Sequence, residues 1–214
     1  MHPQWALGLA VQDDLRFLSH HEMMRTVERI LARCEVPLRY SEGFNPRPIM
    51  SLPCPRPVGV ASACDLLVVS LTQPATVEQA DGWLERLNGQ APPGLRFTHG
   101  ELLDKRAAKK PVRVEYELPL SESQRQGVAL RLDELAPLTQ WPMQRLRGDE
   151  AAAPARAMDL RPLVRRMDLS DRSLRIELSP QGDLWARPAE VLRLLNLDER
   201  EDLSRLARTR IDFA

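Results

Sequence analysis

Residues 40–48 read YSEGFNPRP and separate the clearest helical pattern in the chain from its clearest strand. Pro46 and Pro48 each remove a backbone donor and push the residue before them toward an extended conformation. Gly43 permits a positive φ, which a sharp change of chain direction often requires. The stretch therefore predicts a stiff loop that belongs to neither of the regular elements beside it.

This loop is weakly basic and carries an aromatic side chain. Between residues 36 and 64 the only acid is Glu42, against three arginines. Phe44 offers a face for stacking, Asn45 can both donate and accept, and the planar guanidinium of Arg47 suits a phosphate or carboxylate. The same composition also fits a proline-rich connection that covers a sheet edge and binds no ligand.

The helix before the loop is legible from its cap and its apolar stripe. Ser19 is followed three residues later by Glu22, which fits a capping box. Arginines and Glu28 occupy the other faces, and Pro37 limits any continuation. The predicted core stripe, at helical spacing, consists of Met23, Val27, Ile30, Leu31 and Cys34.

The first half of the chain alternates strand and helix patterns in a recognisable order. Residues 65–71 (DLLVVSL) form a continuous apolar run, which predicts a central strand. Residues 4–103 together predict a β-α-β-β-α-β, ferredoxin-like order. The other predicted elements are strands at residues 5–11, 36–40 and 94–103, and a second helix at residues 76–87.

The second half repeats this order after a polar boundary. Residues 104–111 (DKRAAKKP) hold every lysine of the chain and end in a proline. We therefore expect an α+β protein of two tandem ferredoxin-like units with antiparallel sheets, at residues 1–104 and 111–214. In the second unit the predicted strands are 112–118, 141–147, 158–168, 174–178 and 206–213, the helices are 121–135 and one opening at Arg187-Pro188, and a mobile loop is predicted at 148–156.

Composition narrows the classes of function. The chain has 214 residues with 30 basic and 30 acidic side chains, so bulk charge does not predict a general nucleic-acid coat. No apolar run approaches the ~20 residues of a membrane helix, and the N-terminal residues do not resemble a signal peptide, so we expect a cytoplasmic protein. Cys34, Cys54 and Cys64 match no zinc, disulfide or iron–sulfur spacing, so we expect neither metal nor cofactor.

Several strings together resemble a known bacterial family. They are FLSHHEMMRTVERIL at residues 17–31, PLRYSEGFNPRPIMS at 37–51 and PVGVAS at 57–62, with DLRPLV at 159–164 and RPAEVL at 187–192 in the second half. The chain is similar to the radical-SAM-associated family with a domain of unknown function, whose members are encoded beside a radical SAM protein or fused to one. The resemblance implies an accessory partner of a radical SAM enzyme, with RNA as the expected substrate. It assigns no biochemical activity.

Three hypotheses follow for function. The leading one is a non-catalytic partner that binds or presents RNA through the loop, with an aromatic side chain stacking on a base and arginines contacting phosphates. The second is an RNA-processing or RNA-modifying enzyme with His20 or His21 as acid–base and Arg47 stabilising charge. The third is a module that only docks a protein. The candidate binding residues are Arg16, His20, Arg39, Tyr40, Phe44, Asn45, Arg47 and Arg56.

The loop is also predicted to lie over a pocket at the start of the first helix. We expect this pocket to include Arg16, His20 and Arg47, because a helix N-terminus favours an anion. Residues 1–103 nevertheless carry nine arginines against eleven carboxylates, so any basic surface in this half must be local.

Overall fold

The chain divides into two units in the computed structural model, which describes residues 2–103, 110–145 and 156–214. Unit 1 comprises Met1–Pro111 with Phe213–Ala214, and unit 2 comprises Val112–Asp212. The predicted boundary at 104–111 and the predicted loop at 148–156 fall largely outside the described residues. The protein is of the α+β class, and its described residues include five α-helices.

Unit 1 follows a β-α-β-β-α-β order. Its strands are in the order β4-β1-β3-β2, and each neighbouring pair is antiparallel. The elements are β1 (Gln4–Val11), a 3-10 helix (Asp13–Phe17), α1 (His20–Arg33), β2 (Met50–Ser51), β3 (Ala61–Ser70), α2 (Val77–Gln90) and β4 (Leu95–Leu103).

The first helix forms for the reasons that the sequence indicates. The Glu22 backbone N–H donates to Ser19 Oγ at 3.3 Å, and Glu22 Oε2 accepts from the Ser19 backbone N–H at 2.8 Å, so the predicted capping box is confirmed. The predicted stripe is confirmed as well, since all five of its side chains are buried. They pack in one core with the inward residues of β1, β3, β4 and α2.

Two tryptophans organise the part of this core beside β4. The rings of Trp5 and Trp83 meet edge to face, with centroids 5.5 Å apart. Gly100 pairs with Leu7 of β1, and a Cβ at this position would be 2.5 Å from the indole Nε1 of Trp5. A side chain at Gly100 would therefore displace the indole, which explains a glycine inside a strand.

The second strand of unit 1 lies after the loop rather than before it. The sequence predicted a strand over residues 36–40, whereas the structure has only isolated bridges there, from Leu38 to Leu71 and from Tyr40 to Pro48. Pro37 and Pro48 lack a backbone N–H, which limits a continuous ladder. The ladder resumes at Met50–Ser51, beside β3.

Unit 2 contains four strands in the order β10-β5-β9-β8 and a separate hairpin of β6 and β7. The predicted single strand over 158–168 is wrong, because a 3-10 helix at Arg161–Leu163, containing Pro162, interrupts it. The short helix α5 was not predicted. The elements are β5 (Pro111–Pro119), α3 (Glu122–Leu135), β6 (Pro142–Arg145), β7 (Arg156–Asp159), β8 (Val164–Leu169), β9 (Ser173–Leu178), α4 (Pro188–Leu194), α5 (Glu201–Arg205) and β10 (Ala207–Phe213).

None of the helices in the described part of the chain has the length and apolar character that crossing a lipid bilayer demands. The same residues contain no group of three or more His, Cys, Asp or Glu side chains placed to hold a metal ion.

Candidate functional site

The stretch at residues 40–48 forms a closed loop. The Ser41 N–H donates to the Arg47 carbonyl at 2.8 Å, and the Arg47 N–H donates back to Ser41 Oγ at 3.0 Å. Tyr40 and Pro48 form an antiparallel bridge just outside this pair, and Gly43 adopts φ 136° within it. The two ends are therefore held together, and the residues between them cannot extend into a strand.

The base of the loop is attached to the sheet of unit 1. The Arg39 N–H donates to the Ser70 carbonyl at 2.8 Å, and the Ser70 N–H donates to the Ile49 carbonyl at 2.9 Å. The Ile49 N–H in turn donates to the Arg39 carbonyl at 2.8 Å. Pro48 is buried, whereas residues 41–47 are all exposed. The loop thus has a fixed base and a solvent-facing tip.

Apolar and cationic side chains share this exposed tip. Phe44 is fully exposed and Tyr40 is 47% exposed, although burial would stabilise both aromatic rings. The Arg47 side chain is exposed too, and no hydrogen bond or ion pair joins it to another described residue. The tip therefore presents two exposed aromatic rings and an exposed guanidinium on one segment, where a ligand can reach them.

A cleft of about 470 Å³ lies between α1 and the loop. Its cationic and titratable lining residues are His20, His21, Arg25 and Arg47, with one carboxylate from Glu28. Met24, Met50 and Pro48 supply an apolar part of the lining. The imidazole centroids of the two histidines are 5.7 Å apart. The structure therefore brings His20 and Arg47 to one cleft; their role there stays a prediction.

The start of α1 contributes less to anion binding than the sequence suggested. Ser19 Oγ already accepts the N–H of Glu22, and the Glu22 carboxylate accepts from both the hydroxyl and the N–H of Ser19. The hydroxyl bond, the backbone bond and the nearby charge of Arg25 lower the pKa of Glu22, so this carboxylate keeps its negative charge at the helix start. Attraction of an anion to the cleft must therefore come from its arginines and histidines.

Arg56, a predicted phosphate-contacting residue, lies in the interior of unit 1. Its Nη1 is 3.8 Å from Asp65 Oδ2, and the two side chains are only 4% and 3% exposed. Its Nη2 donates to the Leu15 carbonyl at 2.7 Å. The guanidinium thus fastens the β1–α1 connection to β3, and it is not part of the exposed surface that carries Arg47.

Arg16 lies outside the cleft, contrary to the predicted shared pocket. Its Nε donates to the Asp13 carbonyl at 2.9 Å, its guanidinium carbon is 5.8 Å from the centre of the Phe17 ring, and its carbonyl accepts from Gly59 N–H. Arg39 is half-buried at the base of the loop. Neither arginine is among the described residues that line the cleft with Arg47.

Four residues that line the cleft were not predicted as site residues from the sequence: Met24, Arg25, Glu28 and Met50. His21 and Arg25 are four residues apart, as are Met24 and Glu28, so α1 presents them together next to the buried stripe. Helical spacing was a signal for this second face. Met50 carried no such signal, because its place depends on the strand that follows the loop.

A family model described as "Uncharacterized protein conserved in bacteria (DUF2344)" matches residues 7–198, so the chain belongs to this family. A crystal structure of an unknown protein from Galdieria sulphuraria is similar over 100% of this chain and 99% of that one, with 10% identity and a TM-score of 0.27. At that score the likeness carries no argument about fold or function. No curated protein matches the chain.

Proposed function

We propose that this chain is a non-catalytic accessory protein that binds single-stranded RNA through the loop at residues 40–48 and presents it to a radical SAM enzyme. The observation that carries the RNA part is the fully exposed ring of Phe44 on a loop whose base is fixed. A ring held in water in this way offers a stacking platform for a base.

Preorganisation of the loop supports this proposal. Two hydrogen bonds between Ser41 and Arg47 close the loop. Little of the loop therefore has to be ordered when a ligand binds. The prolines on both sides of Arg47 restrict its backbone further. Binding energy from Phe44 and Arg47 is then not consumed in ordering the chain.

The cleft beside the loop supports the binding of a phosphate of the same RNA. Arg25 and Arg47 line it together with two imidazoles, and Glu28 is the only acid among the described lining residues. A guanidinium binds a phosphate bidentately, and the local excess of cations exists within a half of the chain that is acidic as a whole. The expected RNA therefore places a base on Phe44 and a phosphate in the cleft.

The radical SAM partner in the proposal rests on the family resemblance of the sequence. The matching strings lie in both halves of the chain, and one of the two longest, at residues 37–51, includes the exposed loop itself. Because the loop tip buries nothing within unit 1, its sequence is not explained by packing in that unit.

We further propose that each unit is ferredoxin-like. In unit 1 the strand order β4-β1-β3-β2, antiparallel throughout, supports this assignment. In unit 2 the corresponding strands, in chain order β5, β8, β9 and β10, are arranged as β10-β5-β9-β8, which is the same permutation. The hairpin of β6 and β7 is then an insertion between the first helix and the second strand of that unit.

RNA binding is tested by replacing the exposed ring. In an anisotropy titration with a fluorescein-labelled oligouridylate, Phe44→Ala should weaken binding by about 1–3 kcal/mol, the range for one stacked base. Val77→Ala is the matched control, since Val77 is an exposed apolar residue on α2. Equal affinities of the two variants would refute stacking by Phe44.

Catalysis is the second candidate, because His20, His21 and Arg47 line one cleft. An imidazole can transfer a proton and a guanidinium can stabilise developing charge, and both roles are used in RNA cleavage. Gel analysis of RNA incubated with wild-type, His20→Ala and His21→Ala protein separates the candidates. Cleavage that either substitution abolishes would establish an enzyme; the accessory role predicts none.

Protein docking through the same loop is the remaining alternative. An exposed phenylalanine also suits a partner protein. Capture of the radical SAM protein that the family resemblance implies, on immobilised wild-type and Phe44→Ala chains, distinguishes the two uses of the ring. Loss of capture with unchanged RNA affinity would assign the loop to the protein partner.

A further inference from the structure

A second cationic cleft lies in unit 2, between the end of α3 and strand β8. It has a volume of about 280 Å³, and three arginines line it: Arg161, Arg165 and Arg166. Trp141 and Leu135, both buried, form part of its apolar floor. No carboxylate is among the described residues that line it. Such a cleft attracts an anion that also has an apolar part.

A β-bulge explains why two consecutive arginines of one strand line the same cleft. Successive side chains of a regular strand point to opposite faces. In β8, however, Val164 pairs with Leu178 and Arg166 already pairs with Glu177, so Arg165 is an extra residue opposite β9. A bulge of this kind redirects side chains and is frequent beside functional sites. Strand β8 is also at the end of the strand order of unit 2.

The third arginine is held against an aromatic ring. The Arg161 guanidinium carbon is 4.7 Å from the centre of the Trp141 ring. Asp159 Oδ1 accepts the backbone N–H of both residues, at 2.7 Å from Trp141 N and 2.9 Å from Arg161 N. The carboxylate therefore fixes the two backbones, and the stacked guanidinium plane remains exposed to solvent on the rim.

Arg165 and Arg166 each form an ion pair at the surface that a phosphate group of a ligand can replace. Arg165 is 3.0 Å from Glu177 and Arg166 is 2.7 Å from Asp168, but the two arginine side chains are 64% and 68% exposed. Exposed pairs contribute little to stability. Glu177 is also 3.4 Å from Arg113, but Asp212 holds Arg113 more closely, at 2.7 Å, so Glu177 is mainly the partner of Arg165.

We propose that this cleft binds the phosphodiester backbone of single-stranded RNA, with Arg165 and Arg166 on phosphates and Arg161 stacking on a base. Arginine planes stack on unpaired bases, and positively charged grooves follow the backbone of a single strand. The inference goes beyond the proposed function of the loop, since it assigns a binding site to unit 2 that shares no residue with residues 40–48.

The test is a salt series with the full-length chain and labelled oligouridylate. Arg165→Ala/Arg166→Ala should lower the slope of log affinity against log salt by about 1.4, because each phosphate contact of a single strand contributes about 0.7. The matched control is Arg172→Ala/Arg175→Ala, which removes two exposed arginines of unit 2 that do not line the cleft. It should lower the slope much less.

Two further variants sharpen the result. Arg165→Lys/Arg166→Lys should keep most of the slope, since it preserves the charge. Arg161→Ala should weaken binding by about fivefold or more, while the slope changes by less than the value of one phosphate contact. Thermal melting of every variant confirms that it is folded. Equal slopes for the alanine double variant and its control would overturn the proposal, as would binding of heparin without any binding of RNA.

The experiment distinguishes an error in the proposal for the loop from an error in the proposal for the cleft. If Phe44→Ala has no effect while the double variant loses affinity, the proposed function of the loop is wrong and the second site stands. If only Phe44→Ala loses affinity, the second site is wrong and the proposed function of the loop stands.

Discussion

Two Pro-Arg-Pro tripeptides in unit 1 have the same sequence and opposite environments. At residues 46–48 the arginine is exposed on a closed loop, whereas at residues 55–57 it is 4% exposed and paired with Asp65. Arg47 lines an open cleft, and Arg56 donates to the Leu15 carbonyl inside the unit. Prolines stiffen the backbone in both places, but they do not decide where the arginine between them points.

The difference arises from what each tripeptide is attached to. The first is bounded by Ser41, which closes the loop on itself, so Pro46 and Arg47 stay exposed while Pro48 is buried at the base of the loop. The second is followed by Gly59, whose N–H donates to the Arg16 carbonyl at 2.8 Å. That bond brings residues 55–59 to the β1–α1 connection, while the buried carboxylate of Asp65 on β3 balances the charge of Arg56. One arginine is thus free for a ligand and the other stabilises the fold.

The largest expected effect is the loss of the buried arginine. Arg56→Ala should lower the free energy of unfolding by about 3–5 kcal/mol, because it leaves the Asp65 carboxylate buried without its guanidinium. Urea unfolding measures this change. The double variant Arg56→Ala/Asp65→Asn should recover part of the loss by removing the charge, and a loss below about 1 kcal/mol would show that the pair is not structural.

A core substitution in α1 provides a scale for that effect. Leu31→Ala should lower the free energy of unfolding by about 2–5 kcal/mol, since Leu31 is fully buried and the change leaves a cavity. Arg29→Ala, on the exposed face of the same helix, should cost much less. Similar losses at the two positions in urea unfolding would mean that the stripe is not the core contact of α1.

Two of the glycines with positive φ, Gly43 and Gly59, sharpen the comparison further. Gly59 has φ 90° and is buried, so Gly59→Ala should cost about 1–3 kcal/mol of backbone strain that its surroundings prevent from relaxing. Gly43 has φ 136° but is exposed, with no heavy atom near the position of a Cβ. Gly43→Ala should cost less than Gly59→Ala in thermal melts, and the reverse order would contradict the assignment of fixed and free segments.

Part of this contrast could be predicted from the sequence and part could not. The capping box of Ser19 and the buried stripe of α1 follow from local spacing, and both predictions are confirmed. Local spacing does not reveal partners that are far away in the chain. The Arg56–Asp65 pair and the attachment of Gly59 to Arg16 depend on how strands and connections come together, so the sequence alone placed Arg56 among the surface residues.

The same limit applies to the two clefts. His20 and Arg47 were predicted to share a pocket because each had a local reason to face outward, from a helix start and from a stiff loop. The arginines of β8 carried no local signal, since the bulge at Arg165 exists only relative to β9. The 3-10 helix at Arg161–Leu163 could have been anticipated from Pro162, but the stacking of Arg161 on Trp141 could not.

The most direct test of the claim that Arg47 is available to a ligand measures both stability and RNA affinity for Arg47→Ala. Because the side chain is exposed and bonded to no other described residue, the variant should keep the wild-type melting temperature. Its affinity for labelled single-stranded RNA should fall by about 1–3 kcal/mol, the range for a charge-assisted contact, and Arg47→Lys should recover only part of it. A variant that unfolds, yet retains wild-type affinity per folded molecule, would show that Arg47 belongs to the scaffold and that the two tripeptides do not differ in role.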